Sequence, residues 1–132
     1  MVIDPSSVDP RVAYGILAGA VVPRPIAFVS TIAPDGVRNL APFSFFNAVC
    51  ADPPVVCISI TVRRPSKDTL ANIRATGELV VNIVSESLAA QMNLCAGEYP
   101  PDVDEFDVSG LTPVASDLVR PPRVGESPVA ME

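Results

Sequence analysis

The sequence predicts one mainly β domain with short helices packed on its flank. Three observations carry that reading. Residues Ile26 to Ile32 in "PRPIAFVSTIA" alternate with the period of two expected of a strand. "PVVCISITV" and "ELVVNIV" are short apolar runs rich in β-branched residues. Fifteen prolines punctuate 132 residues, as they would many short strands with proline-marked ends.

In chain order, "SSVDPRVAYGILAGA" opens with Ser and Asp as cap candidates and a proline suited to a first helical turn. Val12, Ile16 and Leu17 then make an apolar stripe, so a short helix ending near Gly19 is predicted. "PRPIAFVSTIA" is the first strand, and Pro34-Asp35-Gly36 signals the turn into its partner. That partner is "NLAPFSFFNAVCADPP", Asn39 to Pro54, which holds three of the five phenylalanines. "PVVCISITV" is nearly continuous in its apolar residues and is expected to be buried on both faces. "SKDTLANIRATG" reads as a helix with Ser66 as N-cap, Leu70 and Ile73 on one face, and Gly77 as the stop. "ELVVNIV" is a further strand, and "SESLAAQMNLCAG" a further capped helix with Leu88, Met92 and Cys95 facing inward. From Glu98 onward a loop is expected, with short strands at "GLTPV" and "SPVAME". The acid-rich "EYPPDVDEFD" within it reads as a solvated loop held open by its own repulsion.

Composition excludes several function classes. No apolar run approaches the roughly 18 residues of a membrane span; the longest, Val55 to Val62, is interrupted by Ser59 and Thr61. "MVIDPSSVDP" has no basic segment ahead of an apolar one, so no signal peptide is expected and the cytoplasm is the default compartment. A net charge of −6 argues against a nucleic-acid backbone as partner. Cys50, Cys57 and Cys95 form no C-x-x-C pair and are expected as buried structural thiols, without a disulfide framework or zinc site. There is no histidine, which removes the usual general base, the Ser/His and Cys/His nucleophiles and most metal sites. No catalytic side chain and no metal ligand is therefore named.

Two features carry chemistry. "VRRPSKDT" places Arg63, Arg64 and Lys67 between a strand and a helix N-terminus, in a chain with only nine basic residues. Free N–H groups, the helix dipole and these cations suit one phosphate on a small molecule, with Ser66 and Thr69 as hydroxyl donors. A plain helix cap with solvated arginines explains the same residues, and the Gly-rich nucleotide motifs are absent. The second feature is "NLAPFSFFN" with the preceding strand. Ser30, Thr31, Asn39, Ser44 and Asn47 lie among phenylalanines, a surface apolar enough for an aromatic plate and polar enough to bond its edge. Taken singly, each is explained as a turn residue or a satisfied buried polar group. Flavin mononucleotide has such a plate at one end and a phosphate at the other.

"PRPIAFVSTIAPDGVRNLAPFSFFNAVCADPPVVCISI", "KDTLANIRATGELVVNIVS" and "VDEFDVSGLTPVAS" together resemble the flavin reductase-like family of FMN-binding split barrels. That family includes flavoredoxin and the reductase components of two-component monooxygenases such as the nitrilotriacetate system. The similarity runs from about residue 10 to the end of the chain, and the joint occurrence of "NLAPFSFFN", "DPP" and "KDTLxNI" is specific. It implies a Greek-key split barrel with short flanking helices, usually a homodimer, with FMN at the subunit interface. By the resemblance, Ser30, Thr31, Asn39, Ala41, Pro42, Ser44, Phe45 and Asn47 line the ring and ribityl chain, and Arg63, Lys67 and Thr69 receive the phosphate. It also places Arg24 near the flavin and Asp104, Glu105 and Phe106 on a loop near the site entrance. Family members are longer than this chain, and "ESPVAME" matches the start of a strand. One split-barrel domain over residues 1–132, lacking its last strands, is therefore expected.

The resemblance implies hydride transfer from NADH or NADPH to flavin, with reduced flavin or electrons passed to a monooxygenase or another acceptor protein. The lack of histidine is no obstacle, because the flavin carries the hard chemistry. The alternative from another class is a non-catalytic module that binds flavin, a nucleotide or a subunit. A relative of the pyridoxamine-phosphate oxidase barrels is a weaker third reading, against which the motif content argues.

Overall fold

Strand β1 (Ala27–Ile32) runs through the middle of the main sheet of the computed structural model, which describes residues 2–61 and 66–132. It pairs antiparallel with β2 (Arg38–Phe43) on one side and β5 (Val80–Ile83) on the other, and β8 (Ala130–Met131) extends the sheet beyond β5. The β1–β2 turn is the one signalled by Pro34-Asp35-Gly36. The Ala33 N–H donates to the Val37 carbonyl at 2.8 Å, and Gly36 takes φ +97°, a conformation that favours glycine.

Both faces of β1 are buried, so Ala27 through Thr31 have essentially no exposure. On one face Phe28 and Leu40 pack with Leu88, Cys95, Phe106, Leu111 and Val124. These come from the segment containing α3 (Ala89–Leu94) and α4 (Glu105–Ser109), and from the small hairpin of β6 (Pro113–Val114) and β7 (Arg123–Val124). On the other face Val29, Phe43 and Val81 pack with Phe46, Ile58, Ile60 and Met131. That side faces the hairpin of β3 (Phe46–Ala51) and β4 (Pro54–Ile58), with α2 (Asp68–Thr76) at one end. Helix α1 (Pro10–Ala20) starts at Asp9, whose carboxylate accepts the Arg11 N–H at 2.8 Å, and none of its residues is buried.

Several elements depart from the sequence reading. β4 is not buried on both faces: Val55 is 43% and Val56 40% exposed. Among the described residues it pairs only with β3, and an open apolar groove of about 1020 Å³ separates it from Leu70, Ile73, Leu79 and Val81. Cys50 and Cys57 lie on this hairpin and are exposed, so of the three thiols Cys95 alone is buried. Helix α2 has Lys67, not Ser66, at its N-cap, and the residues it buries are Thr69 and Asn72, while Leu70 and Ile73 line the groove. The acid-rich segment is loop and turn up to Asp104, as expected, but its last residues enter α4. Asp104 accepts the Phe106 N–H at 2.9 Å as N-cap, and Arg38 on β2 pairs with both Asp104 and Asp107. One guanidinium thus cancels the repulsion that the sequence alone suggested, and it also lies over the buried Phe106 ring.

Asn82 ties the central strands to the last third of the chain. Its Nδ2 donates to the Phe28 carbonyl at 3.0 Å, and its Oδ1 accepts the Val124 N–H at 2.9 Å. Ser30 beside it donates to the Pro122 carbonyl. Replacing Asn82 with Ala orphans two buried backbone groups, each costing about 1–3 kcal/mol. Urea unfolding should show that loss, and a change below about 0.5 kcal/mol would rule out the clip.

Candidate functional site

A cleft of about 90 Å³ opens where β2, the start of α2 and the 95–99 segment meet. Asn39, Ala41 and Pro42 form one wall, Lys67, Asp68 and Thr69 the other, with Glu105 at the base. β2 places its residues there because it is the edge strand of the main sheet. Lys67 sits at the N-cap of α2 with its ammonium 5.2 Å from the Phe43 ring centroid. The first N–H groups of α2 and the positive end of its dipole face the same region.

Beneath the cleft lies a buried polar network. The Glu105 carboxylate accepts the Asn39 side-chain N–H on one oxygen and the Leu40 backbone N–H on the other, both at 2.9 Å. Asn39 Oδ1 accepts the Thr69 hydroxyl at 2.8 Å and the Thr31 hydroxyl at 3.2 Å. Asn72 Nδ2 donates to Thr31 Oγ1 at 3.1 Å. Burial pushes the Glu105 carboxyl above its ordinary range, opposed by the Leu40 and Asn39 bonds and reinforced by the nearby Asp68 charge. Burial likewise raises the Cys95 thiol, whose Sγ contacts the Glu105 carbonyl at 3.6 Å.

The residues singled out in the sequence are distributed unevenly. Asn39, Ala41, Pro42, Lys67 and Thr69 come together in the cleft, and Thr31 joins them through Asn39. Ser30 points to the opposite face of β1, where Asn82 and Pro122 satisfy it. Ser44 and Phe45 form the bend between β2 and β3. Phe45 meets the Tyr14 ring edge-on, with the Arg24 guanidinium 5.7 Å from its centroid. Arg24 itself donates to the Ala18 and Val21 carbonyls at the end of α1, fastening that helix to the bend. Asn47 is exposed on β3, apart from the cleft. Arg63 and Arg64 lie outside the described residues. Sequence reasoning gave no role to Asn72 or Asn82, and the resemblance placed Glu105 near the site entrance, on what is here the first turn of α4. Asn82 carries a signal, as an amide within the apolar run "LVVNIV"; Thr69 and Asn72 carry another, as two polar residues at helical spacing beside a strand.

A flavin nucleotide can be tested against this geometry. The cleft admits a phosphate-sized group and not a tricyclic ring, which requires a pocket of roughly 300 Å³ or more. One ammonium and a nine-residue helix's N-terminus fit the anionic end. Among the described residues, no group of three or more His, Cys, Asp or Glu side chains is placed to hold a metal, and no helix is long and apolar enough to cross a membrane.

Residues 19–132 match the family profile described as a flavin reductase like domain. An uncharacterized protein of Aquifex aeolicus is 48% identical over 126 residues, covering 94% of this chain and 64% of that protein. The crystal structure of nitrilotriacetate monooxygenase component B from Bacillus cereus superposes with a TM-score of 0.95 at 37% identity, covering 99% of this chain and 65% of that one. A protein with a split-barrel domain from Shewanella frigidimarina, named as a flavin reductase, gives a TM-score of 0.79 at 27% identity over 95% of this chain and 62% of its own. The chain thus spans less than two thirds of each of these relatives, and its fold is that of the split barrel.

The network generates a pH prediction. Because the folded state holds the Glu105 proton more tightly than the unfolded state, folding binds protons between the ordinary glutamate range and the raised value. Stability contributed by this group is full below that window and is lost as pH rises through it. Asp4 and Glu126, whose carboxyls are held low, act in the opposite sense but are common to both proteins in a comparison with Glu105→Gln. Unfolding free energies measured across pH should therefore show the wild type losing stability relative to the variant through that window. A difference that rises with pH would contradict the burial of this carboxylate.

Proposed function

Because the chain belongs to the flavin reductase like family, we propose that it binds FMN and serves hydride transfer from NADH or NADPH to flavin. The reduced flavin, or its electrons, then passes to a monooxygenase or another acceptor protein. The observation that carries this reading is the meeting of Lys67 and the first turn of α2 with Asn39, Ala41 and Pro42 in one polar cleft. There the cation and the helix N–H groups hold the phosphate, with Arg63 as a further cation from the adjoining segment. The ribityl chain and ring extend from the cleft along the β2–β3 bend, where Pro42, Ser44 and Phe45 orient them. A bound flavin supplies the redox chemistry, and this chain binds, aligns and excludes water.

A homodimer fits the same reading. Val12, Ile16 and Leu17 of α1 and Val49, Val55 and Val56 of the β3–β4 hairpin are all at least 40% exposed, apolar surface available to a second copy. The same exposure favours the second reading, a non-catalytic module that binds a subunit. A chain that stays colourless with added FMN would support that module and overturn the reductase.

The test is a titration of the chain with FMN and with riboflavin, followed by flavin fluorescence, with the oligomeric mass recorded alongside. Replacing Arg63 and Lys67 together with Ala should weaken FMN binding by about 1.5–3 kcal/mol per charged hydrogen bond lost. Riboflavin, which lacks the phosphate, should change far less. Equal losses for the two ligands would overturn the phosphate assignment.

A further inference from the structure

We infer that Glu105 is the positioning residue of the polar cleft, its carboxylate locking the edge of β2 to the first turn of α2. The inference rests on the reading of that cleft as the seat of an anionic group. Three observations carry it.

The carboxylate bonds an edge strand. Among the described residues β2 has a paired neighbour only in β1, and the Leu40 N–H on its open side is taken by Glu105 Oε2 at 2.9 Å. Glu105 thus occupies the place a further strand would take. The helix that carries it is itself pinned. Asp104 caps it, Arg38 bridges Asp104 and Asp107, Ser109 donates to the Glu105 carbonyl at 2.7 Å, and Phe106 is buried in the core.

The carboxylate also orients the donors around it. An ionised carboxylate only accepts, so Asn39 must turn its NH₂ toward Glu105 and its carbonyl toward α2. The Thr69 hydroxyl must then point its proton at that carbonyl, which it meets at 2.8 Å. One buried charge therefore fixes three elements through Asn39. Thr69 is thereby reassigned: its hydroxyl proton is spent inside the protein, and the anion is left to Lys67 and the helix N–H groups.

Glu105→Gln tests the orientation without removing volume. The new amide cannot serve Leu40 and Asn39 as the carboxylate does unless Asn39 turns over, and the Thr69 hydroxyl must then rotate from donor to acceptor. Amide hydrogen exchange of the ligand-free chain is the first readout. Leu40 and Ala71, whose N–H donates to the Lys67 carbonyl at 3.0 Å, should exchange at least about tenfold faster, with Val29 and Val81 unchanged. The second readout is the FMN titration, which should weaken about tenfold while riboflavin stays within about twofold. Unchanged exchange at Leu40 and Ala71 overturns the inference, and so does a uniform rise across the sheet with both flavins weakened alike. If the wild type binds neither flavin, the flavin reading fails by itself, and the exchange result alone decides for or against Glu105. Thr69→Val keeps the carboxylate and removes only the direct bond from Asn39 to the first turn of α2, which covers the case of a Gln variant that does not fold. Ala71 should then lose protection while Leu40 keeps it; loss at both, or at neither, overturns the coupling.

Discussion

A strand buried on both faces sets the terms for everything around it. β1 hides Ala27 through Thr31 completely, so each face needs its own cover. The first three positions ask only for apolar neighbours, and two separate clusters supply them. Ser30 and Thr31 ask for more. A hydroxyl sealed away from water without a partner costs more than a packed methyl returns, so each demands hydrogen bonds from whatever covers it. Being adjacent, they point to opposite faces. Ser30 selects the Pro122–Val124 segment with Asn82, and Thr31 selects Asn39 and Asn72, with Thr69 joining through Asn39. Two neighbouring hydroxyls thus specify which parts of the chain close over each side.

The same demand explains why α2 lies as it does. A helix beside a strand normally turns its apolar stripe inward. Here Thr69 and Asn72 are buried instead, because Thr31 and Asn39 need partners, and Leu70 and Ile73 are left facing the groove beneath the β3–β4 hairpin. α2 therefore stands between two environments, a small polar cleft at its N-terminus and a large apolar groove along its other side. The first suits an anionic group, and the second is apolar surface.

Much of this was legible in the sequence, and the misses share a cause. α1, β1, the turn at Gly36, β5 and the helix around Met92 follow from periodicity and caps, which are local. The β6 and β8 strands were marked by "GLTPV" and "SPVAME". The exposure of β4 was not legible, because "PVVCISITV" reports apolarity and not whether anything covers it. Nor was α4: five acids in ten residues look self-repelling until Arg38, far away in sequence, is placed beside them. At the candidate site, Asn39, Ala41, Pro42, Lys67 and Thr69 converge. Ser30 and Asn47 diverge, because strand alternation and the Ser44–Phe45 bend send them elsewhere. The direction of a hydroxyl proton, which decides whether Thr69 serves a ligand or the fold, depends on a carboxylate supplied from α4 and is invisible to spacing.

The proposed anion site, in a protein of net charge −6, needs a local account. The acids that line the cleft are Asp68, Glu98 and Glu105, and the acids around it are not all free charges. Asp104 and Asp107 share Arg38, and the charge of Glu105 is spread over two N–H donors that point at it. Exposed charges farther away are damped within about one Debye length, roughly 8 Å at physiological salt. At the cleft itself the Lys67 ammonium and the N–H groups that begin α2 therefore act against the carboxylates of Asp68 and Glu98. Net charge describes how the molecule behaves toward distant polyanions; the cleft is governed by which charges are already paired.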